Sequence, residues 1–275
     1  MQGQTDRPWT GRTAIVAGNG ASLARIRPGI LLADDLIVRT NNFFLEPRYF
    51  LGQKVDLAVM GGDPRVAPFM FETLYRCRAD YELKGWVSVN PKVQAVGQRR
   101  FSDLSMPFPW RDQALETAVA NLTARYGKKL MTGTYGLLAA YGLGASKILL
   151  CGFDLYEDGQ RYAFPLGKHQ SDLMGHVMRR SGIDDSQHDR NLDSAVIGLL
   201  QDRGDVALFR TSDDTPWDNL LPMAADRTGT PLAASDRVGG PRDWVSHVGP
   251  YPIQLLKLLR WGSRVMRGAG GPNGR

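Results

Sequence analysis

Residues 14–22 read Ala14-Ile15-Val16-Ala17-Gly18-Asn19-Gly20-Ala21-Ser22. Four small or β-branched apolar residues, a glycine-asparagine-glycine step and a serine placed to open a helix predict a buried strand that turns sharply into a helix. Glycines let the backbone pass close to a ligand, and the N–H groups of a helix start attract an anion. Asn19 adds a side-chain amide. A tight packing turn with no ligand fits the segment equally well, so both readings stand on these residues alone. A dinucleotide fingerprint would need a third glycine three residues after Gly20, and Leu23 stands there.

Working outward, short apolar runs recur with helical or loop material between them, the rhythm of a parallel α/β sheet. Strands are predicted at 13–17, 35–39, 57–60, 85–89, 147–151 and 206–210. Residues 112–126 have helical composition, with Leu115, Ala118, Val119 and Leu122 at spacings of three and four. Residues 135–143 are small and apolar almost throughout, which predicts a helix buried against the sheet. A further helical run is 192–200. Residues 157–189 are polar and show no clear period, and a long irregular stretch inside a domain suits a lid. The expectation is one nucleotide-binding, Rossmann-like α/β domain made of 1–154 and 189–275, with 155–188 as a small lid.

The chain of 275 residues is 43% hydrophobic and 23% charged, which is ordinary globular composition. No apolar stretch approaches the roughly 20 residues a bilayer requires. The segment MQGQTDRPWTGR lacks the apolar core of a signal peptide, so the expected compartment is the cytoplasm. Two cysteines exclude a disulfide framework, and Cys151, ending an apolar run, reads as simply packed. A formal charge of +6 favours anionic partners. The chain has no dense basic run interleaved with aromatics, so nucleic acid is the weakest of these. In 253–267, Lys257, Arg260, Arg264 and Arg267 fall on one side of a helix and Leu255, Leu258, Leu259 and Val265 largely on the other. Two readings remain for that helix: a basic face on an anionic membrane surface, or a helix docked on its own domain with that face in water.

Candidate chemistry gathers after the predicted strands. Arg39-Thr40-Asn41-Asn42 ends the second one, where ligands of parallel sheets sit, and the paired asparagines suit a base or ribose. A nicotinamide enzyme would need an acid there, and none is present. The strand at 147–151 delivers Gly152-Phe153-Asp154-Leu155-Tyr156, followed by Tyr162, and two tyrosines can donate to a leaving phosphate. Of four histidines, His169 and His176 have no accompanying ligand cluster. His188, in SQHDRNLDSAV, has the polar surroundings of a titrating base. No Asp-x-Asp ends a strand, so no metal and no other cofactor is expected.

Four blocks, AGNGAS at 17–22, RTNNFFLEPRYFLG at 39–52, MTGTYGLLAAYGLGASKILLCGFDLYEDGQRYAF at 131–164 and HDRNLD at 188–193, together resemble the bacterial sialyltransferases of glycosyltransferase family forty-two. The resemblance implies metal-independent, inverting transfer of a sialic acid from a CMP-sugar to a glycan acceptor, lipid-linked in the manner of lipooligosaccharide. It implies that Asn19, Ser22, Asn41 and Asn42 line the CMP site with Gly18 and Gly20, and that Thr132 and Gly133 lie near the donor. Tyr156 and Tyr162 would hold the departing phosphate, and His188 would be the general base. Lys129 stands where the family pattern has an arginine, keeping the charge and losing the planar fork. Glycine, at Gly61 or Gly62, replaces an asparagine after the third strand. Both departures touch the sugar side, so a related nonulosonic acid is an expected donor. A non-catalytic nucleotide- or glycan-binding protein of the same fold is the alternative. Homo-oligomers and a peripheral place on the inner membrane, through 253–267, complete the expectations.

Overall fold

A computed structural model describes residues 7–155, 161–178 and 186–269 of the chain. Its centre is a sheet of six strands: β1 (Thr13–Ala17), β2 (Leu36–Thr40), β3 (Leu57–Val59), β4 (Trp86–Val87), β5 (Lys147–Cys151) and β6 (Ala207–Arg210). Their order is β4-β3-β2-β1-β5-β6 and every pairing is parallel. The α/β fold with a parallel sheet is thus as the sequence predicts. All six strands fall within the predicted runs or one residue beyond them.

Among the described residues seven α-helices accompany the sheet: α1 (Ala67–Arg76), α2 (Pro91–Phe101), α3 (Gln113–Tyr126), α4 (Thr132–Gly142), α5 (Lys168–Met178), α6 (Arg190–Arg203) and α7 (Ile253–Ala269). Alternation along β1 explains why both faces are covered. Ala14 and Val16 enter the core shared with α3, α4 and α6, whereas Ile15 and Ala17 enter the opposite core with Leu23, Ile30 and Leu149. Helix α4 lies on β1, β2, β3 and β5, and Gly136 lets its backbone approach Val16, so the predicted buried helix is present and begins three residues earlier than read. Asp112 caps α3 by accepting the Leu115 N–H at 2.8 Å, and Gly127 ends it in the left-handed conformation. Cys151 is packed as expected, and burial pushes its thiol up to about 12.

Two expectations need correction. The stretch read as irregular contains α5. Its start is fixed from a distant loop, since Asp243 accepts the N–H groups of His169 (2.6 Å) and Gln170 (3.1 Å). Helix α7 is docked on its own domain, but Lys257 and Arg260 are not left in water. They turn inward to ion pairs, and Leu255, Leu258 and Leu259 face out. No helix among the described residues is long and apolar enough to cross a membrane.

Candidate active site at the switch point of the sheet

The strand order reverses between β1 and β5, so their carboxyl ends open the crevice in which a doubly wound sheet holds ligands. The turn after β1 is built against the turn after β5. Gly18 and Gly20 donate N–H to Cys151 and Gly152 carbonyls at 2.9 and 3.0 Å. A Cβ on Gly18 would overlap the Gly152 carbonyl, and one on Gly20 would lie 2.5 Å from Asp154 Oδ2. The glycines therefore serve a close approach between two turns of protein. Ser22 is buried, donating its N–H to Asp154 Oδ2 at 2.7 Å and its hydroxyl to Asp154 Oδ1. Asp154 carries this junction. It was quoted in the motif GFDLY but given no role, and its position three residues past β5 is the only signal. The next residue, Leu155, holds φ of 49°, a conformation costly for a branched side chain.

Asn19 sits in the same turn, 8% exposed, with its amide N–H donated to the Thr40 carbonyl at 2.9 Å. Its Oδ1 is buried with no hydrogen-bond partner. Such an acceptor costs about 1–3 kcal/mol until a donor arrives. Asn41, held at φ of 45°, bridges three elements: its amide donates to Thr132 Oγ1 at 3.0 Å and its Oδ1 accepts the Gly61 N–H at 2.7 Å. A Cβ on Gly61 would stand 2.7 Å from Thr132 Oγ1, so the glycine permits that threonine's position. Asn42 is buried and accepts the Trp244 indole N–H at 2.8 Å. Thr132 and Gly133 open α4, where unpaired helical N–H groups favour an anion, and Gly133 lies against the Phe153 ring.

The third wall comes from 129–131 and 186–193. Lys129 donates its backbone N–H to the Gln187 carbonyl at 2.8 Å, and its own carbonyl meets His188 Nδ1 at 2.8 Å. A carbonyl only accepts, so this contact assigns the ring proton to Nδ1 and the lone pair to Nε2. The Lys129 side chain is exposed. One turn into α6, Asp193 is fully buried and accepts the Met131 N–H (3.1 Å) and the Thr134 hydroxyl through Oδ1. Burial is the main cause that pushes its carboxyl up to about 6, with those two hydrogen bonds opposing it. Asp193 thus ties the His188 segment to the start of α4. Its place in HDRNLD could have marked it.

Tyr162 is buried beside this region, because its neighbour Ala163 donates N–H to the Asn19 carbonyl at 2.9 Å. Tyr156 lies outside the described residues. Among the described residues no group of three or more His, Cys, Asp or Glu side chains is placed to hold a metal. A groove of about 430 Å³ between α3 and α6, lined by Asn121, Leu122, Arg125, Leu199 and Asp202 among others, contains none of the site residues.

Fold and site together define a doubly wound α/β domain with a polar crevice at the switch point, suited to a nucleotide. The comparisons give that class a particular likeness. The family model described as alpha-2,3-sialyltransferase (CST-I) matches residues 12–86, which run from β1 to β4. The sialyltransferase CstII from Campylobacter jejuni, solved in complex with a substrate analogue, cytidine-5'-monophosphate, is 20% identical with a TM-score of 0.71, covering 86% of this chain and 94% of that one. The monofunctional alpha-2,3-sialyltransferase Cst-I from Campylobacter jejuni is 20% identical with a TM-score of 0.72, covering 92% and 95%. A CST-II complex with a trisaccharide acceptor and CMP is 19% identical with a TM-score of 0.68, covering 85% and 94%. No curated protein matches the chain. The resemblance to bacterial sialyltransferases read from the four sequence blocks is borne out in the fold and in the family model over 12–86.

Proposed function

We propose that the chain is an inverting glycosyltransferase that moves a sialic acid, or a related nonulosonic acid, from a CMP-sugar to a hydroxyl of a glycan acceptor. The observation that carries this reading is His188, whose Nδ1 is engaged by the Lys129 carbonyl at 2.8 Å. In the neutral ring Nε2 then takes the proton of the acceptor hydroxyl as its oxygen attacks the anomeric carbon. The bond from that carbon to the phosphate oxygen breaks on the opposite side, and its electron pair leaves with CMP. A single displacement of this kind inverts the anomeric centre.

The nucleotide is assigned to the crevice around Asn19, Asn41, Asn42, Thr132 and Gly133, where the unpartnered Asn19 Oδ1 calls for a donor such as a hydroxyl or an amino group. Charge developing on the phosphate is met by Tyr162, Tyr156 and the Lys129 ammonium, hydrogen-bond donors in the place of a divalent cation. The cytidine-5'-monophosphate bound by CstII, and the trisaccharide acceptor and CMP in the CST-II complex, support the substrate classes proposed. The acceptor is proposed to be lipid-linked, met at the inner face of a membrane through α7, by a chain that assembles as a homo-oligomer. Calorimetry with CMP and a transfer assay test the central step on His188→Ala. CMP binding is expected within about threefold of wild type while transfer falls by at least about a hundredfold. Transfer at the wild-type rate would remove His188 from the chemistry.

A further inference from the structure

Helix α7 is amphipathic in the reverse sense to most surface helices. Its described cations, Lys257 and Arg260, face the protein. Lys257 Nζ lies 2.8 Å from His169 Nδ1 and 2.7 Å from Asp172 Oδ2, and that bond holds the Asp172 carboxyl below its ordinary range. Arg260 donates to the Leu173 carbonyl and to Asp63 Oδ2, both at 2.6 Å. Among its described side chains, Ile253 and Leu256 are the apolar residues that it buries. Turned outward are Leu258, Leu259 and Trp261, 60%, 62% and 63% exposed, with Leu255 at 43% and Tyr251 of the preceding hairpin at 64%. These are five of the six large hydrophobic residues that are exposed among the described residues, and the spacing of the four on α7 sets them on one side of the helix. Monomeric proteins seldom leave such a patch to water.

We infer that α7 seats this apolar face in the headgroup layer of an anionic phospholipid bilayer, lying in the plane of the surface. The inference deepens the peripheral contact proposed above and rests on it, but not on the glycosyl transfer. Three features choose lipid over a second copy of the chain. Besides the ion-paired Lys257 and Arg260, residues 244–275 carry Arg264, Arg267 and Arg275 and no Asp or Glu, which complements an anionic surface and would set like charges together in a pair of copies. Trp261 and Tyr251 flank the leucines, and amphipathic rings favour the headgroup level. The helix is too short of apolar residues to span, so an in-plane position is the one open to it.

The inward ion pairs change the expected character of binding. Lys257 and Arg260 are engaged with Asp172 and Asp63, so the leucines supply most of the affinity, and salt, acting on the remaining arginines, weakens binding without abolishing it. They also join α7 to α5 and to the start of α1, which keeps the helix docked in water.

The test is co-sedimentation of the full chain with vesicles of phosphatidylcholine and phosphatidylglycerol, at low and high salt. Wild type is expected to partition at both. Leu258→Ser with Leu259→Ser is expected to weaken partition by about a hundredfold, roughly tenfold for each leucine. Both side chains are exposed, so the melting temperature and transfer to a soluble acceptor should be unchanged. Partition abolished by salt and indifferent to the leucines overturns the inference while leaving an electrostatic contact in place. No partition in any vesicle, with transfer to a soluble acceptor intact, overturns the membrane contact and leaves the glycosyltransferase reading standing. Self-association of wild type that the double variant removes assigns the face to a second copy and overturns the inference.

Discussion

Replacing Asp193 by asparagine tests the joint between the His188 segment and α4. The carboxyl is fully buried, and its Oδ1 accepts the Met131 N–H and the Thr134 hydroxyl while Oδ2 has no partner. Burial raises its pKa from 3.8 to about 6, against those hydrogen bonds, with the charge of Asp189 adding a smaller rise. The folded state therefore binds this proton more tightly than the unfolded state. Stability falls as pH rises from 3.8 to about 6 and is level above that. At about 1.4 kcal/mol for each pH unit of that window, ionising Asp193 costs the fold about 3 kcal/mol. Asparagine keeps the Oδ1 acceptor and cannot ionise. Urea unfolding of wild type and Asp193→Asn across pH 4 to 8 should show curves that diverge on rising pH, the variant gaining up to about 3 kcal/mol relative to wild type. Taking the difference between the two proteins cancels the titrating groups that are not coupled to Asp193. Parallel curves would refute the claim that this carboxylate is held against its preference.

Other positions give sharper tests of the site. Gly61→Ala would bring a methyl to 2.7 Å from Thr132 Oγ1, displacing the partner of Asn41. The loss of about one hydrogen bond should raise the donor KM by up to about tenfold, and an unchanged KM would show that the bridge does not reach the donor. Tyr162→Phe should lower kcat by about a hundredfold with little change in melting temperature, as expected for one lost donor to a leaving oxyanion. Wild-type kcat would remove Tyr162 from the phosphate. Gln170, fully buried on α5 with neither amide atom partnered, should yield a chain more stable by about 1–3 kcal/mol when replaced by methionine. A destabilised variant that binds CMP weakly would instead mean that the amide meets the ligand.

How much was legible depends on the range of the interaction. The runs Thr13–Ala17 and Lys147–Cys151 are strands with the bounds predicted, because burial on both faces writes a continuous apolar run into the sequence. Asp112 and Gly127 mark the two ends of α3 by local capping chemistry. The use of Gly18 and Gly20 was not legible, since the atoms they accommodate belong to Gly152 and Asp154 on a strand far along the chain. Helix α5 was missed because its cap is Asp243, supplied from another loop in place of a neighbouring residue. For α7 the period gave two faces correctly, yet nothing in a period says which face docks. Asp172 and Asp63 decide that, and both are distant in sequence. In the site, Asn19, Asn41 and Asn42 were chosen by type and strand end, whereas Asp193 acts through Met131 and Thr134 and was visible only as a letter in HDRNLD.

The most direct measurement is release of CMP from CMP-sialic acid by the purified chain, with and without glycan acceptors, followed by analysis of the acceptor's mass and linkage. Acceptor-dependent release of CMP, matched mole for mole by an acceptor carrying one added sialic acid in inverted configuration, is the predicted result. CMP that binds the crevice while the donor stays whole in the presence of every acceptor and every related CMP-sugar would contradict the account and leave a nucleotide-binding protein of this fold.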